Sequence, residues 1–426
     1  TTGSNNVVVG AGALGADTKG NRSTAIGRLA LAAQNFTTAT DSNNVAVGFN
    51  AGLSVTTGTR NTLIGAAAGD AITDADNNVA VGSFALTSNQ LGSQSVAIGD
   101  GALSDQNPAT ATSMYNVAVG HNAANVLTTG VRNVTIGAFS GDRLSSGSNN
   151  IAIGLNALTT EDAGDFNIAI GSETLESQDA GDAYNIAIGY AAGKGLTSAD
   201  TSTFVGGFAG GGAVTGNSNT FIGYASGFNT VTITSGFKNT LVGANTHTSI
   251  PNAENQIVIG NNVQGDGDNK FTFGSAAGKV VNSYTVNNNW TQSSDERLKK
   301  DIQPDSLGLN FINELRTVTF KWKPLSEIDS DFVEQSPDLG VIELPDGKTV
   351  TKGERDTATL CHGLIAQEVK AAMDSVGNTT FNGWEEGNSG QSISREMFVI
   401  PLIKAVQELS TQVTALQAEV NTLKGG

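Results

Sequence analysis

From residue 5 onward, short apolar runs alternate with polar loops at a fixed interval. Each run is closed by a glycine, and fifteen such glycines follow one another: Gly10, Gly27, Gly48, Gly65, Gly82, Gly99, Gly120, Gly137, Gly154, Gly171, Gly189, Gly206, Gly223, Gly243 and Gly260. Most are 17 residues apart, with intervals of 18, 20 or 21 where a loop has grown. The residue before each glycine is Val or Ile in all fifteen copies, and the residue three before it is β-branched in all fifteen. In a strand these two positions share one face, and β-branched side chains suit such a pleated, packed surface. The middle position faces the other way and is usually Ala. It becomes Leu63, Phe204, Phe221 or Leu241 in four of the five copies that carry Thr three before the glycine. Polarity on one face is thus offset by bulk on the other, and both faces are expected to be at least partly covered. One residue earlier, Asn stands in eleven copies; stacked one coil per repeat, these amides are expected to form a hydrogen-bonded ladder. The glycine permits a sharp bend out of the strand.

A fixed period of this length specifies a solenoid. The expectation is a mainly β fold: a parallel β-roll or β-helix of fifteen coils over residues 1–274, about 70 Å long at ~4.8 Å per strand. A single slender roll buries little, so association into an oligomer is expected to cover a second apolar face. A neck or linker over 275–293 would follow, and then a different domain over 294–426. At the far end Val399, Leu402, Val406, Leu409, Val413, Leu416, Val420 and Leu423 alternate spacings of three and four. That is the seam of a coiled-coil helix, expected over 399–424. Val at one seam position and Leu at the other leans toward two strands in a parallel coil.

Charge sharpens the division. Residues 1–293 hold 10 Lys and Arg against 19 Asp and Glu, whereas residues 294–426 hold 13 and 21 in less than half the length. The net charge of −17 argues against nucleic acid or an anionic membrane surface as partner. No run of 18 apolar residues exists, so no membrane insertion is expected. The sequence begins Thr-Thr-Gly rather than with Met, as a fragment lacking an upstream anchor would. The single Cys361 excludes an intrachain disulfide framework and reads as a buried structural thiol. Gly265-Asp-Gly-Asp268 lacks the spaced carboxylates of a calcium loop and reads as a polar turn. Glu385 and Glu386, being adjacent, are poorly placed to flank one sugar as a glycosidase pair. Neither a cofactor nor a metal is expected.

The junction reads Trp290-Thr-Gln-Ser-Ser294-Asp-Glu-Arg-Leu-Lys299-Lys-Asp-Ile302. On residue chemistry alone it is a helix start, with Ser293 as N-cap and Glu296 completing a capping box. A Ser and a Lys in a polar linker then carry no chemistry.

Two resemblances extend these readings. Asn-Val-Ala-Val-Gly at 44–48 and Ser-Val-Ala-Ile-Gly at 95–99 resemble the head repeats of trimeric autotransporter adhesins. That likeness covers residues 5 to about 263 and implies a β-roll that trimerises around its inner strands. Ser-Asp-Glu-Arg-Leu-Lys-Lys-Asp-Ile at 294–302 resembles the opening of the intramolecular chaperone auto-processing domain of endosialidases, phage tail spikes and tail fibres. Leu309 to Trp322, Gly363-Leu-Ile-Ala-Gln-Glu-Val369 and Ile400 to Leu409 resemble further motifs of that domain in the same order. The resemblance implies an α+β domain that promotes trimerisation and then releases itself by cutting the Ser293–Ser294 bond. It also implies Ser294 as nucleophile and Lys299 as general base. A lysine acts as a base only if its free pKa of about 10.4 is lowered by burial or a cationic neighbour. No third residue is assigned; His362 reads as structural.

Together these imply a homotrimeric extracellular fibre of the viral tail-fibre type, joined upstream to a virion and attaching to a host cell-surface glycan or protein receptor. The extra surface is expected in the longer coils around 31–43 and 104–115. The alternatives are a bacterial cell-surface trimeric adhesin or a capsule-degrading tail spike. The repeats hold no clustered carboxylates for the latter, and self-cleavage is the only catalysis expected.

Overall fold

The computed structural model describes residues 3–179, 183–212, 215–228, 233–283, 296, 299–330, 333, 340–343, 349–352, 357–387 and 390–425. The chain divides into two compact units, Thr1–Ser293 and Ser294–Gly426.

The first unit is a β-solenoid with one short strand per repeat, from Val7–Val9 to Ile257–Asn261, each covering the residues just before its glycine. Consecutive strands pair in parallel and in register with the repeat, so that Val117 faces Val134 and Ile136 faces Ile153. Strand Lys270–Ser275 continues the stack in parallel, and Gly278–Ser283 returns antiparallel to complete a 17-stranded sheet. The strand Gly278–Ser283 thereby becomes the terminal edge of the sheet.

From the second repeat strand onward the middle residue points into the coil and is almost completely buried: Ala46, Ala80, Ala118, Ala152 and Ala187 are all at 0% exposure, whereas Val8 of the first strand is 45% exposed. Its β-branched neighbours point outward and stay half-exposed. The two faces are therefore unequal in a single chain; only the middle row is covered. A second pattern fills the coil. Where the middle residue is Ala, the position four after the glycine is often a buried Leu, as at Leu31, Leu86, Leu103, Leu158 and Leu175. Where it is Leu63, Phe204 or Phe221, that position is Gly in its own coil and in the one before; Leu241 has Gly227 in the coil before but His247 in its own. A Cβ at Gly193 or Gly210 would lie 3.0 or 2.4 Å from the Phe204 ring, and one at Gly52 or Gly69 2.7 or 2.8 Å from Leu63. Volume is thus conserved coil by coil, as close packing requires.

The repeat glycines have two reasons to be glycine. Their φ values run from +124° to +143°, a region that side-chain-bearing residues avoid. Each also lies under the next, so that a Cβ on Gly120 would sit 2.5 Å from the carbonyl oxygen of Gly137, and one on Gly137 2.5 Å from that of Gly154.

The asparagine ladder exists, but most of its rungs run from amide to backbone; Asn239 Nδ2 donating to Asn219 Oδ1 at 3.2 Å is an amide-to-amide rung. Asn116 Oδ1 accepts the backbone N–H of Asn133 at 2.9 Å, Asn133 Oδ1 that of Asn150, and Asn150 Oδ1 that of Asn167. Each Nδ2 donates to a loop carbonyl of the next coil: Asn116 to Gly130, Asn133 to Gly147 and Asn150 to Gly164. The side chain therefore ties backbone to backbone, and its neighbour need not be Asn. At Ser23 and Ser95 a buried glutamine from the next, longer coil takes part. Ser95 Oγ donates to Gln106 Oε1, which also accepts from Asn116 Nδ2; Gln34 likewise accepts from Asn44 Nδ2 at 2.9 Å and reaches Ser23. The two 21-residue coils thus put part of their insertions into the core, and each adds a parallel side pairing, Gly20–Asn21 with Thr40–Asp41 and Gly92–Ser93 with Thr112–Ser113.

The second unit is α+β. Among the described residues it contains helices α1 (Leu309–Glu314), α2 (Ala366–Ser375) and α3 (Val399–Gly425). Strand Val318–Phe320 pairs antiparallel with Cys361–Gly363, and two hairpins are formed by Gly340–Glu343 with Thr349–Lys352 and Trp384–Gly387 with Gly390–Ile393. A small core joins Leu307, Phe311, Val369, Met373, Phe381 and Phe398. Its three phenylalanine rings have centroids 5.0–6.2 Å apart, within the favourable range for aromatic pairs. Glu408 of α3 accepts the first N–H of α1, from Leu309, at 2.8 Å. A Cβ at Gly308 would lie 2.4 Å from that carboxylate, so glycine there allows the close approach.

Candidate functional site

The solenoid's outer strand face follows from the size of its coil. Since the interior takes only the middle side chain, the Val or Ile before each glycine must point to solvent: Ile26 is 37% exposed, Ile136 38% and Ile222 41%. These residues are one coil apart along the whole stack and form an unbroken apolar stripe. A stripe one side chain wide, ~6 Å, and ~70 Å long presents on the order of 400 Å², comparable with the largest apolar patch on a typical monomer.

Helix α3 repeats the situation in the second unit. Only Pro401 and Ala405 are buried among its 27 residues. The seam from Val399 to Leu423 is exposed throughout, between 40% at Val420 and 82% at Leu423. An apolar groove of about 670 Å³ adjoins it, lined by Ile312, Leu315, Val318, Leu364, Phe398 and Leu402, with His362 and Arg395 contributing polar groups. Leu402 belongs to both groove and seam. Sequence reasoning found the seam from its spacing. It missed the groove, whose walls come from α1, both strands of a pair and the start of α3.

At the junction, Ser293 and Ser294 lie outside the described residues. Lys299 is exposed, and its N–H donates to the Glu296 carbonyl at 3.0 Å. Residues 299–308 hold no helix; the first α-helix among the described residues starts at Leu309. The burial that a lysine base requires is therefore not supplied to Lys299 by the described residues of its own chain.

The remaining candidates are placed as follows. His362 sits on the strand opposite Thr319. Cys361 is half-buried rather than buried; among the described residues its strand pairs with one neighbour, and its Sγ donates to the Thr359 carbonyl. Glu385 and Glu386 are exposed neighbours on one hairpin strand. Asp266 is bound by Lys270 and Lys279 at 2.8 and 3.1 Å, and Asp268 accepts the Glu254 N–H. Among the described residues no cluster of three His, Cys, Asp or Glu side chains could hold a metal ion, and no helix is long and apolar enough to cross a membrane.

Ion pairs tie the second unit together. Arg316 grips Glu368 of α2 with two N–H groups at 2.5 and 3.2 Å, which holds the Glu368 carboxyl below its ordinary range. Glu408 is held low first by the Leu309 N–H and then by Lys404.

Residues 294–378, from the junction through α2, match the family model described as chaperone of endosialidase. The start of the second unit is therefore similar to a chaperone-of-endosialidase domain. Such a domain implies a trimeric fibre or spike protein that carries its own intramolecular chaperone. The match takes in α1, the strand pair and α2; the hairpin at Trp384 and helix α3 lie beyond it. No curated protein and no solved structure matches the chain.

Proposed function

We propose that the protein is a homotrimeric extracellular fibre of the viral tail-fibre type, which attaches to a host surface through a glycan or protein receptor. Its C-terminal domain drives trimer folding and then cuts itself off at Ser293–Ser294. The observation that carries the trimer is the pair of uncovered apolar surfaces, the solenoid stripe and the α3 seam, each running the length of its element. Three copies packed about these surfaces would bury both. The Val and Leu seam alone leans toward two strands, but the chaperone match favours three.

For the cleavage, Ser294 is the nucleophile and Lys299 the base. The Lys299 amine takes the Ser294 hydroxyl proton, and Oγ attacks the carbonyl carbon of Ser293 through a five-membered ring. The C–N bond breaks as the Ser294 nitrogen receives a proton, and water then hydrolyses the ester. Because Lys299 is exposed in the single chain, neighbouring copies would supply its burial, which would couple cutting to assembly. Light scattering on the Ser294→Ala protein tests the assembly half: a mass of three times 43.5 kDa is expected, and a monomer at micromolar concentration overturns it.

A further inference from the structure

One column of the solenoid surface departs from the pattern of the rest. The residue just after each repeat glycine lies on the corner beyond the strand. In three successive coils it is Tyr190, Gly207 and Tyr224. Both tyrosines are at least half exposed, at 50% and 58%. Phe208 lies against both, edge-on, with ring centroids 5.1 Å from Tyr190 and 5.9 Å from Tyr224, and stacks on Phe228 at 5.7 Å. Four rings thus form one continuous surface, and beside it Phe208, Tyr224, Ala225, Phe228 and Asn245 enclose a hollow of about 270 Å³.

Gly207 is the informative residue. The repeat glycines are forced by positive φ and by a carbonyl in the way; Gly207 has neither constraint. Its φ lies outside the left-handed region, and a Cβ there would first meet the edge of Tyr224 at 3.6 Å, an ordinary contact. Other coils carry Ala66, Ser83, Asp100, His121 or Leu155 at this position. Backbone geometry does not require glycine here. Its effect is to leave the corner between two tyrosine positions, two coils or about 9.6 Å apart, without a side chain, which we call a notch.

We propose that this notch and hollow are a glycan-binding site for neutral sugars, with the pyranose ring stacked on Tyr224. This names the receptor class within the attachment function proposed above and rests on it. An aromatic face carries partial negative charge and attracts the polarised C–H groups of a sugar, while the Tyr224 hydroxyl offers a polar partner for its hydroxyls. The hollow is slightly smaller than pockets that enclose drug-sized ligands, a size that suits one sugar ring. Charge selects against acidic sugars. The protein carries −17 overall, and Lys194, which shares Glu173 with Tyr190, is already bound by Glu173 and Glu176 at 2.6 and 2.9 Å.

The test applies the full-length trimer to an array of neutral and sialylated oligosaccharides and to a panel of bacterial cells. Three variants accompany the wild type: Tyr224→Ala, Gly207→Leu, which fills the notch, and Tyr115→Ala, an exposed tyrosine of a distant coil. Binding to neutral glycans, lost at least tenfold in the first two variants and kept in the third with the trimer intact, is the expected result. The proposal is overturned if the wild type binds only sialylated glycans or none. It is equally overturned if all variants bind alike, or if Tyr224→Ala lowers trimer stability, which would make the rings a subunit contact. Wild type that adheres to cells while its glycan binding is absent or insensitive removes this site and leaves the attachment function standing. Wild type that binds neither cells nor glycans removes both.

Discussion

Replacing one repeat glycine in mid-stack, Gly120→Ala, tests why the solenoid exists. Two effects add at this position. The residue sits at φ +143°, where a side-chain-bearing residue is strained by about 1–3 kcal/mol. The new methyl would also lie 2.5 Å from the Gly137 carbonyl oxygen and 2.6 Å from its carbon, so the two coils must separate locally. That loosens the flanking hydrogen bonds, Val117 N–H to Asn133 O and Gly137 N–H to Val119 O, both 2.8 Å, at about 1 kcal/mol each. The sum is about 3–5 kcal/mol per chain, a large effect for one methyl group. In a unit of this size the apparent melting temperature should fall on the order of 5–10 °C, followed by far-UV circular dichroism at fixed scan rate. Because each coil contacts only its neighbours, new proteolytic cuts should cluster beside residues 120–137. The control is Gly278→Ala: a Cβ there meets nothing within 4 Å and no positive φ constrains it, so its melting temperature should match wild type. A Gly120→Ala protein that melts with the control would refute the stacked-glycine explanation.

Other perturbations follow from the same geometry. Asn133→Ala removes an acceptor from the Asn150 N–H and a donor from the Gly147 carbonyl, both buried; a loss of about 2–4 kcal/mol is expected in thermal unfolding. Ile136→Asp places a charge on the outer stripe without touching the coil interior; the solenoid should still fold by circular dichroism, while gel filtration should show the trimer weakened or lost. Glu408→Gln tests the α3–α1 tie. The folded carboxyl lies below its ordinary 4.5, so the ionised group's contribution is present above pH 4.5 and is lost as pH falls through the lowered folded value. The variant should therefore be less stable than wild type at neutral pH, with the two unfolding profiles converging in acid.

What the sequence disclosed depended on whether one residue or a pair carried the information. The glycine column and the Val or Ile before it are single-position signals, and they placed every repeat strand. The α3 seam was equally direct, since its three-and-four spacing is the periodicity of a helix. The face assignment was harder, because alternation shows that two faces differ but not which one is enclosed. The small size of Ala46, Ala80 and Ala152 was the available clue that the interior is narrow. The exchange of Leu for Gly four residues after the repeat glycine is likewise written in the sequence, but it emerges only when two coils are compared, as with Phe204 against Gly193 and Gly210. Gln34 and Gln106 were illegible for a further reason: an insertion looks like surface until its side chain is seen replacing a ladder amide. The groove beside Leu402 unites segments more than 80 residues apart, a proximity that no local pattern records.

The central claim is a fibre whose chaperone folds it and then leaves. The most direct measurement is the intact mass of the boiled, denatured protein, comparing wild type with Ser294→Ala and Lys299→Met. The account predicts two chains in the wild type, one ending at Ser293 and one beginning at Ser294, and one uncut chain in both variants. A single full-length chain in all three proteins, from preparations shown to be trimeric, would contradict it.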